Sequence, residues 1–361
     1  MASAARGYVG ALILVLSVTG LAWADRIVVV AGGGDEPEGI PAARARLQAP
    51  FGVDFDRSGK RWYIVELIGG RVLQVDEKGK LVRVAGTGKK GSAGDGGPAL
   101  QAEFNGMHSL AVAPGGDVYL ADTWNNRVRR LEPKTGTVTN VAGTGEKGYG
   151  GDGGPAAKAK FGGIYCVALD PKGERLYLAD LDNRRIRAID LTTGIVSTVA
   201  GNGEKGVPED GAVAVKAPLV DPRAVAVDRQ GNVYILERGG HALRVVDPSG
   251  KIRTVVGTGK PGSAGDGGDA RKAMLNGPKH LCIDNEGRVL IADTENHLIR
   301  MYLPREGTIV RLAGMGKRGA AGIGGDPLQA ELNQPHGVCV HPNGSLFIAD
   351  SSNNRVLQIE R

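Results

Sequence analysis

The sequence predicts an all-β fold, a closed six-bladed β-propeller, and three observations carry that prediction. A short strand motif, DRIVVVAG at 25–32, recurs five times along the chain, at 79–86, 136–143, 194–201, 250–257 and 307–314. An acidic residue that ends another strand recurs at steps of 56 to 58 residues, at Glu66, Asp122, Asp180, Glu237, Asp293 and Asp350. The first motif copy stands alone, whereas the last repeat, 332–361, lacks its fourth strand. A regular period with complementary ends indicates a ring in which strand Ile27 to Ala31 completes the last blade.

The N-terminal segment has the features of a secretory signal peptide. Arg6 precedes an apolar run from Val9 to Leu21, and Ala22-Trp23-Ala24 follows it. The run is shorter than the roughly 20 residues that a membrane span needs, and the small-x-small ending is a cleavage site. We therefore expect residues 1–24 to be a signal peptide and 25–361 to be a single propeller domain. The protein would be exported to the periplasm or the extracellular space, with no membrane span after cleavage; an uncleaved N-terminal anchor is the alternative.

The composition has a mild basic bias. The chain has 45 Lys and Arg and 39 Asp and Glu, and losing Arg6 with the signal peptide leaves a net charge of +5. In an exported protein this bias favours an anionic small molecule, a peptide or an acidic polymer as partner, and it disfavours nucleic acid. A protein partner is also open, and plain solubility explains the charge equally well.

The three cysteines are expected to be free thiols. Cys166, Cys282 and Cys339 fall in innermost strands, where other blades carry Ala or Gly, which is typical of small buried residues. Cys282 and Cys339 occupy equivalent positions in consecutive blades. Sheets that pack about 10 Å apart disfavour the shorter Cα separation that a disulfide needs.

Blade two is the clearest copy of the repeat. Its strands are predicted at 109–113, 118–121, 127–131 and 137–142, named a to d from the central channel outward, with an Asn-rich turn at 122–126. Long glycine-rich connections join strand d of one blade to strand a of the next, as at 86–104, 143–161 and 257–275. In a propeller these connections, the b-to-c turns and the starts of the a strands emerge on one side, which we name the top face.

Four segments carry a resemblance to a known repeat family. They are ADTWNNRVRRL from Ala121, ADLDNRRIRAI from Ala179, ADTENHLIRMY from Ala292 and ADSSNNRVLQI from Ala349. These segments resemble the NHL repeat, and the resemblance extends over everything after the signal peptide. It implies a propeller fold. It does not specify a function, because NHL propellers include enzymes, adhesive modules and RNA binders.

The repeated acidic residue is interpreted as structural. It precedes an arginine by five residues in several blades, which predicts three ion pairs that hold the b-to-c turn, Asp122 with Arg127, Asp180 with Arg185, and Asp350 with Arg355. The loop aspartates Asp95, Asp152 and Asp266 are interpreted as turn residues, because each is alone among glycines and calcium needs 6 to 8 oxygen ligands.

Blades one and four depart from the repeat. They replace the aspartate with Glu66 and Glu237 and carry Gly-Gly in the following turn. Blade four also loses the GDGGPA loop and gains Arg238 and His241. These departures either mark a functional site or reflect ordinary drift in a redundant repeat.

The first residue of each strand a faces the mouth of the predicted channel. This register holds Phe51, His108, Tyr165, Arg223, Lys279 and His336. Four of the six can be cationic, which indicates a polar well. We predict a ligand-binding set of His108, Tyr165, Arg223, Lys279 and His336.

The two histidines in this register carry a second resemblance. MHSLAV at Met107 and PHGVCV at Pro335 are similar to the peptidylamidoglycolate lyase family, a group of six-bladed propellers that hold zinc with histidines of alternate blades. The resemblance implies a zinc site with His108 and His336, and Arg223 stands where a third histidine would lie. Glu66 is then the candidate third ligand. Arg238 matches the catalytic arginine of that family.

Taken together, these patterns predict an exported NHL-type propeller that binds a ligand or partner through its top face and channel mouth. The alternative is a channel-site enzyme, a lyase, lactonase or other hydrolase, with Tyr165, Arg238 and Glu237 as candidate catalytic residues. Whether the protein is an enzyme stays open, and zinc and calcium are candidate cofactors that the sequence does not establish. An anion is expected between Arg223 and Lys279, with binding that tightens in mild acid as the histidines gain charge. The competing hypothesis is that Glu66 and Glu237 turn inward and neutralise those cations.

Overall fold

The computed structural model describes residues 26–360 as a ring of six antiparallel sheets, which confirms the predicted six-bladed propeller. The predicted signal peptide lies outside the described residues. In chain order the strands are β1 (Arg26–Gly32), β2 (Pro50–Phe55), β3 (Trp62–Glu66), β4 (Val72–Val75), β5 (Leu81–Ala85), β6 (Gly97–Pro98), β7 (Met107–Val112), β8 (Val118–Asp122), β9 (Arg127–Glu132), β10 (Thr137–Ala142), β11 (Ile164–Leu169), β12 (Arg175–Asp180), β13 (Arg185–Asp190), β14 (Val196–Ala200), β15 (Ala212–Val213), β16 (Pro222–Val227), β17 (Val233–Glu237), β18 (Ala242–Val246), β19 (Lys251–Val256), β20 (His280–Ile283), β21 (Val289–Asp293), β22 (Leu298–Leu303), β23 (Thr308–Ala313), β24 (Gly337–Val340), β25 (Leu346–Asp350) and β26 (Arg355–Glu360). Short 3-10 helices span Ala42–Arg44, Ala99–Gln101, Thr123–Asn125, Ala156–Lys158, Ala214–Lys216, Ala270–Lys272, Thr294–Asn296, Pro327–Gln329 and Ser351–Asn353.

The ring closes as the sequence predicts, because the first strand completes the last blade. Blade six has the strand order β24, β25, β26, β1, and β1 pairs antiparallel with β26. Ile27 lies opposite Ile359 and is fully buried in the hydrophobic core of that blade. Residues from the two ends of the described chain therefore share one sheet, and β1 covers the outer edge of β26.

The glycine-rich connections have a second role that the sequence did not reveal. On the top face of four blades, the third residue of the b-to-c turn is an asparagine whose side-chain amide donates to the connection, as Asn125 does to the Gly91 carbonyl and Asn296 to the Gly262 carbonyl, both at 2.7 Å. Each connection then runs along the outer strand of the next blade, where β6 pairs with β10 and β15 with β19. The loops thus cover the outermost sheet edges as well as forming the top face.

The start of strand a is irregular, and this irregularity positions the channel residues. In blades one to four the pairing of strand a with strand b shifts at the residues predicted to face the channel, Phe51, His108, Tyr165 and Arg223. A β-bulge leaves its extra residue outside the ladder and re-aims its side chain. In blades five and six, Lys279 and His336 precede β20 and β24 and donate their backbone N–H groups to Ala292 and Ala349.

Buried arginines of strand c tie each top-face loop to its blade. Three of them are fully buried and contact a loop aspartate, Arg129 with Asp95 at 2.8 Å, Arg187 with Asp152 at 2.6 Å and Arg300 with Asp266 at 2.8 Å. Because these loop carboxylates already bind arginine, they do not fit the calcium alternative.

Two of the three predicted acidic–arginine pairs are wrong. Asp350 and Arg355 do pair at 2.7 Å. Arg127 and Arg185 instead donate to carbonyls of the following connection. The arginine two positions further along the same strand face lies deeper and approaches the aspartate, at 3.8 Å for Asp122 and 3.7 Å for Asp180.

The three cysteines are free, as predicted, and lie in or beside the innermost layer of the core. Across residues 26–360, no helix has the length and apolar character needed to cross a membrane.

Candidate functional site

The six channel-register residues lie in a ring around the top of the channel, and a chain of side-chain contacts links them from Lys279 to Arg223. Phe51 stacks on His336 with ring centroids 4.0 Å apart and meets the edge of His108 at 5.2 Å. His108 in turn contacts Tyr165 at 4.6 Å. The Arg223 guanidinium lies 4.7 Å from the Tyr165 ring centroid. The structure thus brings together the whole predicted ligand-binding set, which has an aromatic arc on one side and cations on the other.

Arg223 is the most unusual residue of this ring. Its side chain is 3% exposed, and its only hydrogen bond among the described residues runs from Nη1 to the Tyr165 carbonyl at 3.1 Å. None of the carboxylates within residues 26–360 forms an ion pair with it. Burial lowers the pKa of Arg223 to about 10, so the guanidinium remains charged at neutral pH.

Two other cations lie beside Arg223, and each has a carboxylate partner. Lys279 Nζ contacts Glu295 at 2.7 Å, and Arg238 Nε contacts Asp221 at 2.8 Å. The competing hypothesis, in which Glu66 and Glu237 neutralise the cations of the channel register, is not supported, because these two acids pair with Arg71 and Arg244. Carboxylates that the sequence reasoning missed take that role.

Both histidines are held in one orientation by backbone carbonyls. His108 Nδ1 lies 2.7 Å from the Gly106 carbonyl, and His336 Nδ1 lies 2.7 Å from the Gln334 carbonyl. A carbonyl only accepts, so Nδ1 carries the proton and Nε2 is the free acceptor. His336 Nε2 accepts from Lys279 Nζ at 3.2 Å.

The surroundings of both histidines disfavour the gain of charge on which the expected pH dependence relies, because the pKa of each is lowered. Burial lowers the pKa of His108 well below its usual value, and the positive charge of Arg223 lowers it further. Burial and the neighbouring charge of Lys279 lower the pKa of His336 in the same way. The cations that were expected to act together with the histidines instead keep them neutral.

Glu66 and Glu237 serve their own blades. Glu66 accepts from Arg71 Nε at 2.7 Å and from the Gln48 backbone N–H at 2.7 Å. Glu237 accepts from Arg244 Nε at 2.8 Å and from the Val220 backbone N–H at 2.6 Å. Both carboxylates are fully buried.

The Gly-Gly turns of blades one and four compensate for the longer acid. In the other four blades the acid is Asp and the third turn residue is Asn, which donates to the carboxylate at 2.7 to 3.0 Å. In blades one and four the acid is Glu and that residue is Gly69 or Gly240. A Cβ at Gly69 would overlap the Glu66 carboxylate, and one at Gly240 would lie 2.6 Å from Glu237 Oε2. In blades one and four the longer Glu thus occupies space that the Asn side chain fills in the other blades, and Gly leaves that space open. This departure from the repeat does not turn the two acids toward the channel.

The predicted zinc ligands do not form a site. Glu66 is occupied by Arg71 and a backbone N–H, so it does not supply a third ligand to His108 and His336. Over the described part of the chain, no group of three or more His, Cys, Asp or Glu side chains is arranged to hold a metal ion.

Tyr165 and Arg238 lie at the channel mouth, whereas Glu237 lies inside blade four. His241 has a left-handed backbone and accepts from the Gly277 backbone N–H at 3.1 Å, so it links blade four to blade five.

Three residues of the site were missed from the sequence. Asp221 lies two residues before Arg223, where all five other blades have a residue with positive φ. Three of those five residues are glycines, so the aspartate in blade four was a signal that the sequence offered. Glu295 and Trp124 both occupy the second position of a b-to-c turn. The residue at this position differs in every blade, so the sequence did not indicate that these two side chains belong to the site.

Comparisons with known proteins agree with this architecture. The signature of the NHL repeat matches residues 104–131, 275–302 and 332–359, and that of the Teneurin NHL domain matches 165–264. The chain is 27% identical over 292 residues to Protein SUPPRESSOR OF QUENCHING 1, chloroplastic, of Arabidopsis thaliana, covering 78% of this chain and 27% of that protein. It is 24% identical over 341 residues to NHL repeat-containing protein 2 of Gallus gallus, covering 86% of this chain and 46% of that protein. The chain thus spans less than half the length of either relative.

Among solved structures, an auxiliary nutrient binding protein from Bacteroides ovatus superposes with a TM-score of 0.66 at 16% identity, covering 93% of this chain and 76% of that chain. At this identity the likeness concerns the fold alone.

Proposed function

We propose that this chain, which is an NHL-repeat six-bladed β-propeller, binds a small organic anion at the channel mouth of its top face. The observation that carries the proposal is the buried, unpaired guanidinium of Arg223. A ligand carboxylate or phosphate would supply the partner that the protein does not.

Other arginines of the same protein give the internal comparison. Six arginine side chains are buried within residues 26–360, and five of them lie within 3 Å of a carboxylate, namely Arg129, Arg187, Arg244, Arg300 and Arg355. Arg223 is the sixth. Removing an ion from water costs several kcal/mol unless a partner compensates, so an unpaired buried arginine is an expensive feature for a fold to keep.

The geometry suits an anion that enters from the top. Arg223 uses one donor on the Tyr165 carbonyl, which leaves the rest of its planar fork for a carboxylate or phosphate. The Tyr165 hydroxyl has no hydrogen-bond partner among the described residues and is a further donor. A peptide or an acidic polymer could present the same anionic group.

Export is part of the proposal. The predicted signal peptide would place the site in the periplasm or outside the cell, where small nutrients are captured. The Bacteroides ovatus nutrient binding protein, which shares the fold, supports a ligand-binding role.

Titration calorimetry with acetate and inorganic phosphate tests the proposal. Wild type is expected to bind at least one of them, and Arg223→Met is expected to bind neither. Because the substitution removes an unpaired buried charge, its melting temperature should equal or exceed that of wild type, so lost binding would not reflect unfolding. Arg253→Met, which removes an exposed arginine, is the matched control and should bind like wild type. Absence of binding by wild type, or equal binding by Arg223→Met, would refute the proposal.

One contact favours the enzyme alternative. A neutral His336 Nε2 beside Lys279 Nζ, at 3.2 Å, is a pair that could exchange a proton with a bound substrate. Turnover of a lactone or ester that is lost in both His336→Gln and Lys279→Met would support a lyase or lactonase. Unchanged turnover in either variant would exclude these two residues from catalysis.

A further inference from the structure

We infer that the anion held by Arg223 is a monocarboxylate that carries a flat apolar group, such as an aryl carboxylate. This inference rests on the proposed function and specifies the ligand class. Three features of the channel mouth point to it, namely its net charge, its aromatic wall and a gap in its rim.

The net charge of the site matches a single negative charge. The cations at the mouth are Arg223, Arg238 and Lys279, and the carboxylates that pair with them are Asp221 and Glu295. The two histidines stay neutral near pH 7 because burial lowers the pKa of each. Within the cluster of these three cations one positive charge is therefore uncompensated, and a second ligand carboxylate or a phosphate dianion would find no second unpaired cation there.

A row of aromatic rings, named here the aromatic wall, extends from Arg223 along the channel mouth. The guanidinium stacks on Tyr165, whose ring meets His108, and the His108 ring lies 5.8 Å from Trp124. Trp124 is 46% exposed, which makes it the part of the wall that a ligand can reach most readily. The Lys90 ammonium lies 5.7 Å from its ring centroid, a loose contact that a ligand ring can replace.

The Trp124 side chain is held in one orientation by its neighbours. Its ring lies flat against Gly106, where an added Cβ would overlap it, and Gly106 also has a φ of +66°. Glycine is therefore required at position 106, because a side chain there would overlap the indole and because the positive φ disfavours other residues. The blade fixes the indole next to the channel mouth, so little side-chain entropy remains to be lost on binding.

The rim lacks a side chain in blade four, the blade that carries Arg223. The second position of the b-to-c turn carries a side chain in five blades, Ile68, Trp124, Asp182, Glu295 and Ser352, and Gly239 in blade four. Gly239 does not have a positive φ, and an added Cβ would lie no closer than 3.3 Å to its nearest neighbour, Asp221. The backbone does not demand glycine here, so blade four lacks a rim side chain at a position where the backbone would accept one.

The test compares four probes by titration calorimetry at pH 7.5, namely acetate, benzoate, phthalate and inorganic phosphate. Benzoate is expected to bind about tenfold more tightly than acetate, as one well-placed aromatic contact provides. Phthalate and phosphate should bind more weakly than benzoate. Trp124→Ser, which copies the residue of blade six, should lower benzoate affinity to that of acetate and leave acetate unchanged. Gly239→Leu should reduce benzoate binding more than acetate binding.

The outcomes separate the two proposals. If acetate and benzoate bind equally, if phosphate or phthalate binds more tightly than benzoate, or if Trp124→Ser leaves benzoate affinity unchanged, the ligand class is wrong and the anion site stands. If none of the four probes binds wild type, the anion site itself is wrong. The Arg223→Met variant should lose both acetate and benzoate, and retention of benzoate alone would overturn both the site and the ligand class.

Discussion

Exchanging the acid and turn residue of blade one tests whether the Glu–Gly and Asp–Asn pairs are alternative solutions to the same packing problem. The perturbation is Glu66→Asp, Gly69→Asn and the double variant. Blade six supplies the template, because Asp350 accepts from the Asn333 backbone N–H, from Asn353 Nδ2 and from Arg355 Nε, each at 2.7 Å.

The magnitude follows from the buried contacts that each single change breaks. In Gly69→Asn the new side chain overlaps the Glu66 carboxylate and forces it away from Arg71, and breaking a buried ion pair costs about 3 kcal/mol. Glu66→Asp shortens the acid by one methylene and leaves a buried donor without its acceptor, which costs about 2 kcal/mol. The double variant recreates the blade-six arrangement and should lie within about 1 kcal/mol of wild type.

The assay is urea unfolding of the four proteins in a double-mutant cycle, monitored by tryptophan fluorescence, with equal m-values as the condition for comparison. The expected coupling free energy is about 4 kcal/mol in favour of the double variant, since the two single losses sum to about 5 kcal/mol and the double variant loses about 1 kcal/mol at most. Additive losses, or single variants as stable as wild type, would refute the reasoning. The reverse exchange in blade six, Asp350→Glu with Asn353→Gly, is the matched control and should behave in the same way.

Three further outcomes are expected. Ile27→Asp should destabilise the ring by about 4 kcal/mol in urea unfolding because its side chain is fully buried, whereas the half-buried neighbour Val28→Asp should cost much less, and equal effects would argue against closure by the first strand. Arg129→Met should leave two carboxylates without their shared partner, so its thermal midpoint should fall by several degrees and the 86–104 loop should become sensitive to protease; an unchanged midpoint would show that the ion pairs contribute nothing. Anion affinity should stay constant from pH 7.5 to pH 5.5, because the pKa of His108 and His336 is lowered and neither binds a proton in that range; tightening below pH 6.5 would mean that they do.

The number of blades, the closure of the ring and the register of the channel residues could all be predicted from the residues alone. Each of these depends on periodicity alone. An acidic residue that recurs every 56 to 58 positions locates strand b in every blade, and the strand at 27–31 can only complete a blade at the other end of the chain. Sequence periodicity also placed Arg223 beside Tyr165, since the bulged start of strand a repeats with the blade.

Only the tertiary structure decided which charges meet. Arg129 binds a carboxylate 34 residues away in a loop, in preference to the closer candidate in sequence, because its depth in the blade brings it there. Asp221 and Glu295, and not Glu66 and Glu237, pair with Arg238 and Lys279 at the channel mouth, and Arg223 has no carboxylate partner among residues 26–360. Burial then sets the state of the histidines, whose pKa falls because the charged form loses water and faces neighbouring cations. Depth and proximity between blades are properties of the assembled ring, and no local pattern of residues encodes them.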